Sequence, residues 1–289
     1  RAAGGLLRLG KWLTGGSIVL FLVDNMDDAF VGKMLGLDAL GLYRIAFAIS
    51  TVTLLEMNLA LGPAVFSAYA RLQDDVERLR GAYVRVLEVV AMLALPSAAF
   101  IALFAPEIVR LLGGAWAGAA PLMSVLAAGG LLGMLIGTGG YVYTAAGKTH
   151  YVFWKNAARF LVLGATIYPL IRCLGLLGVC VAVVLSQIAR LPLWLLFTRR
   201  ILSLPCRDYA RALVHPCAAT AALLLPALGA GVWLARRPLA MGAAAVLGCG
   251  LFLAYLLVRW RTQLQTITGS LINRREDAGQ SDAASEWQQ

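Results

Sequence analysis

The sequence has little of the side-chain chemistry on which enzymes and metalloproteins depend. Two of its 289 residues are histidines, His150 and His215, and they fall in different connecting segments. This makes a histidine metal site or a catalytic triad unfavourable. The five cysteines show no CxxC spacing and lie mostly in or beside apolar segments, where cysteine behaves as a small hydrophobe. The motifs HExxH and GxSxG are also missing. We therefore expect no disulfide framework, no metal site and no catalytic residues, and a protein that is not an enzyme.

Charged residues are scarce as well, at 14% of the chain, against 60% apolar residues and a mean hydropathy of +0.78. Apolar runs long enough to cross a membrane recur along the whole chain. These runs are continuous, whereas a membrane barrel would show alternating strands of about ten residues. We therefore predict an all-α integral membrane protein. The net charge of +10 comes from basic residues scattered between the apolar runs, a pattern that does not favour nucleic acid as a partner.

The apolar runs predict about eight transmembrane helices, at residues 12–35, 40–69, 83–105, 121–146, 152–171, 174–198, 212–235 and 238–258. With these spans, and with Lys33 and Lys155 near the span ends counted with the adjacent loops, 16 of the 25 Lys and Arg residues fall on one side of the membrane and five on the other. The positive-inside rule then places both termini in the cytoplasm. Residues 260–289 lose the apolar periodicity, so we predict a disordered cytoplasmic tail there. The chain opens with Arg1 and shows no signal peptide, and we expect a fragment that lacks its N-terminus.

Three aspartates interrupt the first apolar run, which extends from Trp12 to Leu35. Asp24, Asp27 and Asp28 stand at positions i, i+3 and i+4, so they share one face of a helix. Acids on a membrane helix are tolerated where they face the bundle interior or a wet cavity. Three interpretations stay open: a polar site in a transport pathway, a shifted or broken helix whose acids lie at the headgroup level, and a purely structural charge pair.

Arg44, in the second run, is the candidate partner of these acids. It follows a predicted turn at residues 36–40, which places it near the level of Val31 and about one helical turn from Asp27 and Asp28. An Arg–Asp pair across the two helices could simply neutralise buried charge. If the pair lines a cavity, Arg44 could instead meet an anionic phosphate while the acids bind Na⁺ or a proton.

Glu56 and Asn58 lie deep in the second run, followed by Pro63, which permits a kink. An acid at that depth is expected to face the bundle. Glu56 is therefore either part of a pathway or a hydrogen-bonded structural acid near the cytoplasmic interface.

Three basic residues, Lys148, Lys155 and Arg159, cluster at the start of the fifth run. We favour contacts with cytoplasmic lipid headgroups for them, and the alternative is that they guide a lipid substrate that carries a pyrophosphate. In the run before, Gly129, Gly133 and Gly137 recur every four residues, a stripe that predicts close approach of a neighbouring helix.

The sequence around these residues resembles that of the polysaccharide-transport family. This family comprises the O-antigen and exopolysaccharide flippases of the multidrug/oligosaccharidyl-lipid/polysaccharide flippase superfamily. The resemblance extends from about Leu6 to Thr198. It is carried by the stretches Asn25-Met-Asp-Asp-Ala-Phe-Val-Gly-Lys-Met-Leu-Gly36, Leu40-Gly-Leu-Tyr-Arg-Ile-Ala46, Arg71-Leu-Gln-Asp-Asp75 and Ala105-Pro-Glu107. Asp27, Gly32 and Gly36 match the family pattern position by position.

The resemblance implies two six-helix lobes facing a central cavity, often followed by two extra helices. Residues 1–211 would then be the second lobe, residues 212–259 the additional pair, and the missing N-terminal lobe would be a partner. The implied activity is alternating-access transport of an undecaprenyl-diphosphate-linked oligosaccharide across the bacterial inner membrane, coupled to Na⁺ or H⁺ and needing no other cofactor. Membrane lipids and the glycan polymerase machinery are further implied partners.

We therefore predict a transporter half whose polar lining consists of Asp24, Asp27, Asp28, Arg44, Glu56 and Asn58. The nearest alternative is a cation-coupled multidrug antiporter on the same fold. A membrane enzyme acting on lipid-linked glycans is a further alternative, although its large extracytoplasmic loops are missing between the predicted spans. A non-transporting membrane partner is the last, and the buried polar residues argue against it.

Overall fold

The computed structural model of the protein describes the backbone of residues 2–234 and, within it, the side chains of residues 14–51, 62–205 and 207–222. All regular structure in this part of the chain is helical, which confirms the predicted all-α class. The α-helices are α1 (Ala2–Leu35), α2 (Leu37–Arg71), α3 (Val76–Leu112), α4 (Ala120–Ala145), α5 (His150–Leu174), α6 (Leu176–Leu202) and α7 (Cys206–Leu234), and a 3-10 helix at Gly114–Ala119 precedes α4.

In the part of the chain that the structure describes, four helical segments are long and apolar enough to cross a membrane: α3, the 3-10 helix together with α4, α5 and α6. The protein is therefore a multi-pass membrane protein. Helices α1 and α2, of 34 and 35 residues, are long as well, and they carry the charged residues singled out in the sequence. Each of the first seven predicted spans coincides with a helix. The eighth, at residues 238–258, and the predicted tail at 260–289 lie outside the described residues, so the total of eight stays a prediction.

Helices α1 and α2 form an antiparallel hairpin with a single residue between them. That residue is Gly36, whose φ of +92° is a conformation that side-chain-bearing residues rarely adopt. The predicted turn at residues 36–40 is thus too long, because α2 already begins at Leu37. The tighter turn moves every residue of α2 farther from the turn than predicted, which places Arg44 opposite Asp28 rather than near the level of Val31.

Helix α4 lies at the centre of the compact unit that extends to Thr220, where it packs against α2, α3 and α6. Two apolar clusters fill this unit. One contains Val23, Leu126 and Leu163, and the other contains Tyr83, Met134 and Trp194. Along α4 the buried residues of the first cluster end at Ala127 and those of the second begin at Met134, with Leu131 packed against both, so the clusters meet at a level halfway along the helices. A second compact unit begins at Ala221, and the predicted divisions at residues 211 and 259 stay predictions.

Candidate functional site

A cavity of about 370 Å³ lies at the level between the two apolar clusters. Five helices of the unit up to Thr220 contribute to its wall, and the residues that line it combine apolar, glycine and charged positions: Leu20, Asp24, Phe47, Thr51, Leu126, Gly129, Gly130, Gly133, Met134, Arg159, Val183, Gln187 and Arg190. Binding sites of membrane transporters lie at this mid-depth of the bundle. The cavity is therefore the candidate functional site.

Arg159 reaches the cavity from α5 and forms an ion pair with Asp24 of α1. Its Nη1 donates to Asp24 Oδ1 over 2.9 Å, with the arginine side chain 10% exposed and the aspartate 50% exposed. Among the described side chains that line the cavity, Asp24 is the one carboxylate. The pair therefore joins a fixed, buried cation to an anion that faces open space.

Arg190 approaches the cavity from α6, one helical turn beyond Gln187. Its Nη1 donates to Gln187 Oε1 over 2.6 Å, and both side chains are 7% exposed. Within the described part of the chain, Nε of Arg190 and Nε of Arg159 are buried and have no hydrogen-bond partner. A buried N–H group without a partner costs free energy. Two such groups thus belong to residues that line one cavity, and their donor capacity is not used by the described residues.

Lys155 adds a third buried basic side chain close to the cavity, one helical turn before Arg159. Its Nζ donates to the carbonyl oxygen of Ile136 over 3.2 Å and lies 5.5 Å from the ring centroid of Tyr143. The side chain is 3% exposed. Arg159 and Arg190 thus give the bundle interior around the cavity an excess of positive charge over the carboxylate of Asp24. Such an interior attracts a multiply charged anion.

Glycines of α4 leave the room that the cavity occupies. A Cβ atom on Gly129 would lie 3.3 Å from Val184 Cγ2, and one on Gly133 would lie 3.0 Å from Gln187 Nε2. These positions therefore let α6 approach α4 closely, as the four-residue spacing predicts. At Gly133 the missing side chain also leaves space for the amide of Gln187 beside the cavity.

The three aspartates of α1 have three different partners, although they share one stripe of the helix. Asp27 is 5% exposed, and its Oδ2 accepts the hydroxyl hydrogen of Tyr43 over 2.5 Å. Asp28 pairs with Arg44, whose Nη2 lies 2.7 Å from Asp28 Oδ2 and whose side chain is 66% exposed. The expected Arg–Asp pair between the first two helices therefore forms with Asp28. Neither Asp27 nor Asp28 is among the residues that line the cavity, and a role for them in a pathway stays a prediction.

The other residues singled out in the sequence lie as follows. Lys155 and Arg159 are buried between helices, so contacts with lipid headgroups, the interpretation favoured from the sequence, do not fit them. Lys148 lies in the turn between α4 and α5 and is half-buried. The side chains of Glu56 and Asn58 lie outside the described residues, although both positions belong to α2. Their predicted roles remain predictions.

Sequence reasoning missed Arg190 and Gln187. Both stand in the apolar run at residues 174–198, and neither is among the predicted lining residues. The signal was present, because an ionisable residue within a membrane helix is by default a functional candidate. The spacing Gln187-Ile-Ala-Arg190 also puts the two polar side chains on one face of a helix.

Comparison with known proteins confirms the resemblance identified in the sequence. Residues 1–121 match the family described as polysaccharide biosynthesis protein. The chain is 26% identical over 256 residues to the teichuronic acid biosynthesis protein TuaB of Bacillus subtilis, a match that covers 84% of this chain and 52% of TuaB. It is 27% identical over 183 residues to the lipopolysaccharide biosynthesis protein WzxC of Escherichia coli, which covers 63% of this chain and 37% of WzxC.

A third relative is an uncharacterized membrane protein in the cps region of Klebsiella pneumoniae, 22% identical over 177 residues, with 61% of this chain and 36% of that protein covered. The chain therefore spans about half the length of TuaB and less of the other two. No solved structure matches it. The family match covers α1, α2 and α3, and hence includes Asp24 but not the arginines of α5 and α6.

Proposed function

We propose that this chain is part of a transporter that moves an undecaprenyl-diphosphate-linked oligosaccharide across the bacterial inner membrane. The observation that carries the proposal is the pair of buried guanidinium groups, Arg159 and Arg190, at a cavity halfway along the helices, each with an Nε that has no hydrogen-bond partner among the described residues. The names of the relatives support a role in polysaccharide biosynthesis. The names indicate the class of substrate, and the chemistry of the cavity indicates which part of that substrate it would bind.

The diphosphate is the part of such a lipid that fits this cavity. A guanidinium group donates to phosphate oxygens in a fixed fork, and charge-assisted hydrogen bonds of this kind are about twice as strong as neutral ones. In Arg159 and Arg190 the Nε groups are unused, and Gln187 lies within reach of the same space. The multiple negative charge of a diphosphate would also balance the excess of positive charge that Arg159 and Arg190 bring to the cavity.

Transport requires that the bound headgroup be reached from each side of the membrane in turn. We propose that this bundle rocks against a second lobe of the whole protein, with the diphosphate at the mid-depth of the membrane. In this proposal the termini of the chain are cytoplasmic, because most loop Lys and Arg residues lie on that side. Coupling to a gradient of Na⁺ or H⁺ is part of the proposal.

The multidrug antiporter is the less favoured alternative. An exporter of organic cations needs a cavity with acidic or aromatic groups that attract a positive charge. Here the lining holds Arg159 and Arg190 against a single carboxylate that is already paired. Like charges would repel an organic cation from this space.

The proposal is tested by replacing the two arginines in the intact protein and measuring glycan display. In cells whose own copy of the gene is deleted, R159Q and R190Q should each lower surface glycan roughly tenfold or more, because a charge-assisted hydrogen bond contributes about 1.5–3 kcal/mol. Immunoblots of the membrane fraction should show normal protein levels. R172Q is the matched control, since Arg172 is exposed on α5 and donates to Tyr168.

Full glycan display by the double variant R159Q/R190Q would refute the proposal. Extrusion of small organic cations by the wild type, with surface glycan unaffected by deletion of the gene, would favour the antiporter instead.

A further inference from the structure

We infer that Asp24 acts as a built-in substitute for the substrate's phosphate: it holds Arg159 between transport cycles, and the substrate displaces it. The inference rests on the proposed function, and it names how the same anion site is regulated. Asp24 would then be a positioning residue that sets the affinity of the site and the release of cargo.

The geometry of the pair is that of an anion bound in the site. Asp24 Oδ1 accepts from Arg159 Nη1 over 2.9 Å, a distance typical of a charge-assisted hydrogen bond to either a carboxylate or a phosphate oxygen. Both residues line the cavity. An incoming phosphate group that bonds to the Arg159 fork would therefore compete for the space and the donor that Asp24 now uses.

The two partners differ in how firmly the protein holds them. Arg159 is nine-tenths buried, whereas half of the Asp24 side chain is exposed. A buried charge that loses its partner is strongly unfavourable, so Arg159 requires an anion in every state of the cycle. A half-exposed carboxylate that faces a wet cavity, as acids on membrane helices do, loses less on release than a buried one. Exchange of Asp24 for the substrate satisfies both conditions.

The neighbouring acids of α1 do not share this arrangement. Asp27 is buried against Tyr43, and Asp28 pairs with Arg44, which is exposed and lies outside the cavity. Because Asp24 also joins α1 to α5 through Arg159, its displacement would release a contact between two helices at the moment of binding. Substrate binding and movement of α1 would thereby be linked.

The inference is tested by titrating the purified intact protein, in detergent, with inorganic pyrophosphate in a calorimeter. D24N should bind pyrophosphate roughly two- to fivefold more tightly than the wild type, since the competing pair has one exposed partner and is correspondingly weak. The control is D38N, which makes the same change at an exposed position in the first turn of α2 and should leave the affinity unchanged. Equal or weaker binding by D24N would overturn the inference.

A second pair of variants separates direct competition from a general effect of removing one negative charge. In the R159Q background, D24N should no longer tighten binding, because the residue through which it acts is gone. Tightening by the same factor in that background would overturn the inference. If R159Q and R190Q bind pyrophosphate as well as the wild type, the proposed function itself fails, whereas weakened binding by both with no effect of D24N refutes this inference alone.

Discussion

The hydrogen bond between Tyr43 and Asp27 gives the sharpest prediction about how the hairpin of α1 and α2 is held together. Tyr43 is 1% exposed, and its hydroxyl lies 2.5 Å from Asp27 Oδ2. In Y43F the carboxylate keeps the backbone N–H of Asp28 at 3.1 Å but loses its donor from α2. Hydrogen bonds between membrane helices contribute about 0.6 kcal/mol on average and up to about 1.7 kcal/mol. A carboxylate acceptor lies toward the upper end, so we expect a loss of about 1–2 kcal/mol.

This loss is measured as the melting temperature of the purified protein in detergent. At about 2–4 °C per kcal/mol for a protein of this size, Y43F should melt roughly 2–8 °C lower than the wild type. The control is Y168F, because Tyr168 is half exposed and accepts a hydrogen bond from Arg172, and exposed substitutions change stability by less than about 0.5 kcal/mol. In a double-mutant cycle with D27N the two losses should not add. An unchanged melting temperature in Y43F would refute the reasoning.

Three further predictions concern stability. A Cβ on Gly178 would lie 2.0 Å from the carbonyl oxygen of Leu170, so G178A must push α5 and α6 apart and should lower stability in thermal unfolding by about 1–3 kcal/mol. At Gly81 a Cβ meets nothing within 4 Å, so the control G81A should instead stabilise α3 by about 0.5–1 kcal/mol. An unchanged stability of G178A would contradict the close approach of the two helices. D28N should lower stability by less than about 1 kcal/mol because Arg44 is exposed, and a larger loss on chemical unfolding would show that the pair is shielded. T198V removes the hydroxyl that lies 2.8 Å from Tyr143 Oη in the buried network of α4 and α6, and it should lower the free energy of unfolding by about 1 kcal/mol. Hydrogen exchange should then be faster in α6 around Thr198. Unchanged exchange there would refute the prediction.

The positions of the helices could be predicted from the sequence because apolar runs of span length determine them. The turn between α1 and α2 shows the limit of that reasoning. A single glycine with positive φ closes it, while composition favoured five residues. A five-residue turn would place Arg44 at the level of Val31, whereas the observed one-residue turn places it opposite Asp28, with which it pairs. Hydropathy thus places helices along the chain but does not fix how two helices align.

The candidate site was predicted in part. Arg159 was among the proposed diphosphate contacts and Asp24 among the pathway residues, but nothing in the sequence joins positions 135 residues apart. The helical stripe of Asp24, Asp27 and Asp28 also suggested one shared environment. A helix in a bundle has neighbours on several sides, so acids one turn apart can meet α5 and α2 respectively. The partners of each acid depend on tertiary packing.

The central claim is that the mid-bundle cavity binds a diphosphate through Arg159 and Arg190. The most direct test is native mass spectrometry of the intact protein with undecaprenyl diphosphate and with undecaprenol, which share the lipid tail and differ in the phosphates. We predict that the diphosphate lipid binds at least roughly tenfold more tightly, as two charge-assisted contacts would allow, and that R159Q/R190Q loses this preference. Equal binding of the two lipids, or a preference that survives in the double variant, would contradict the claim.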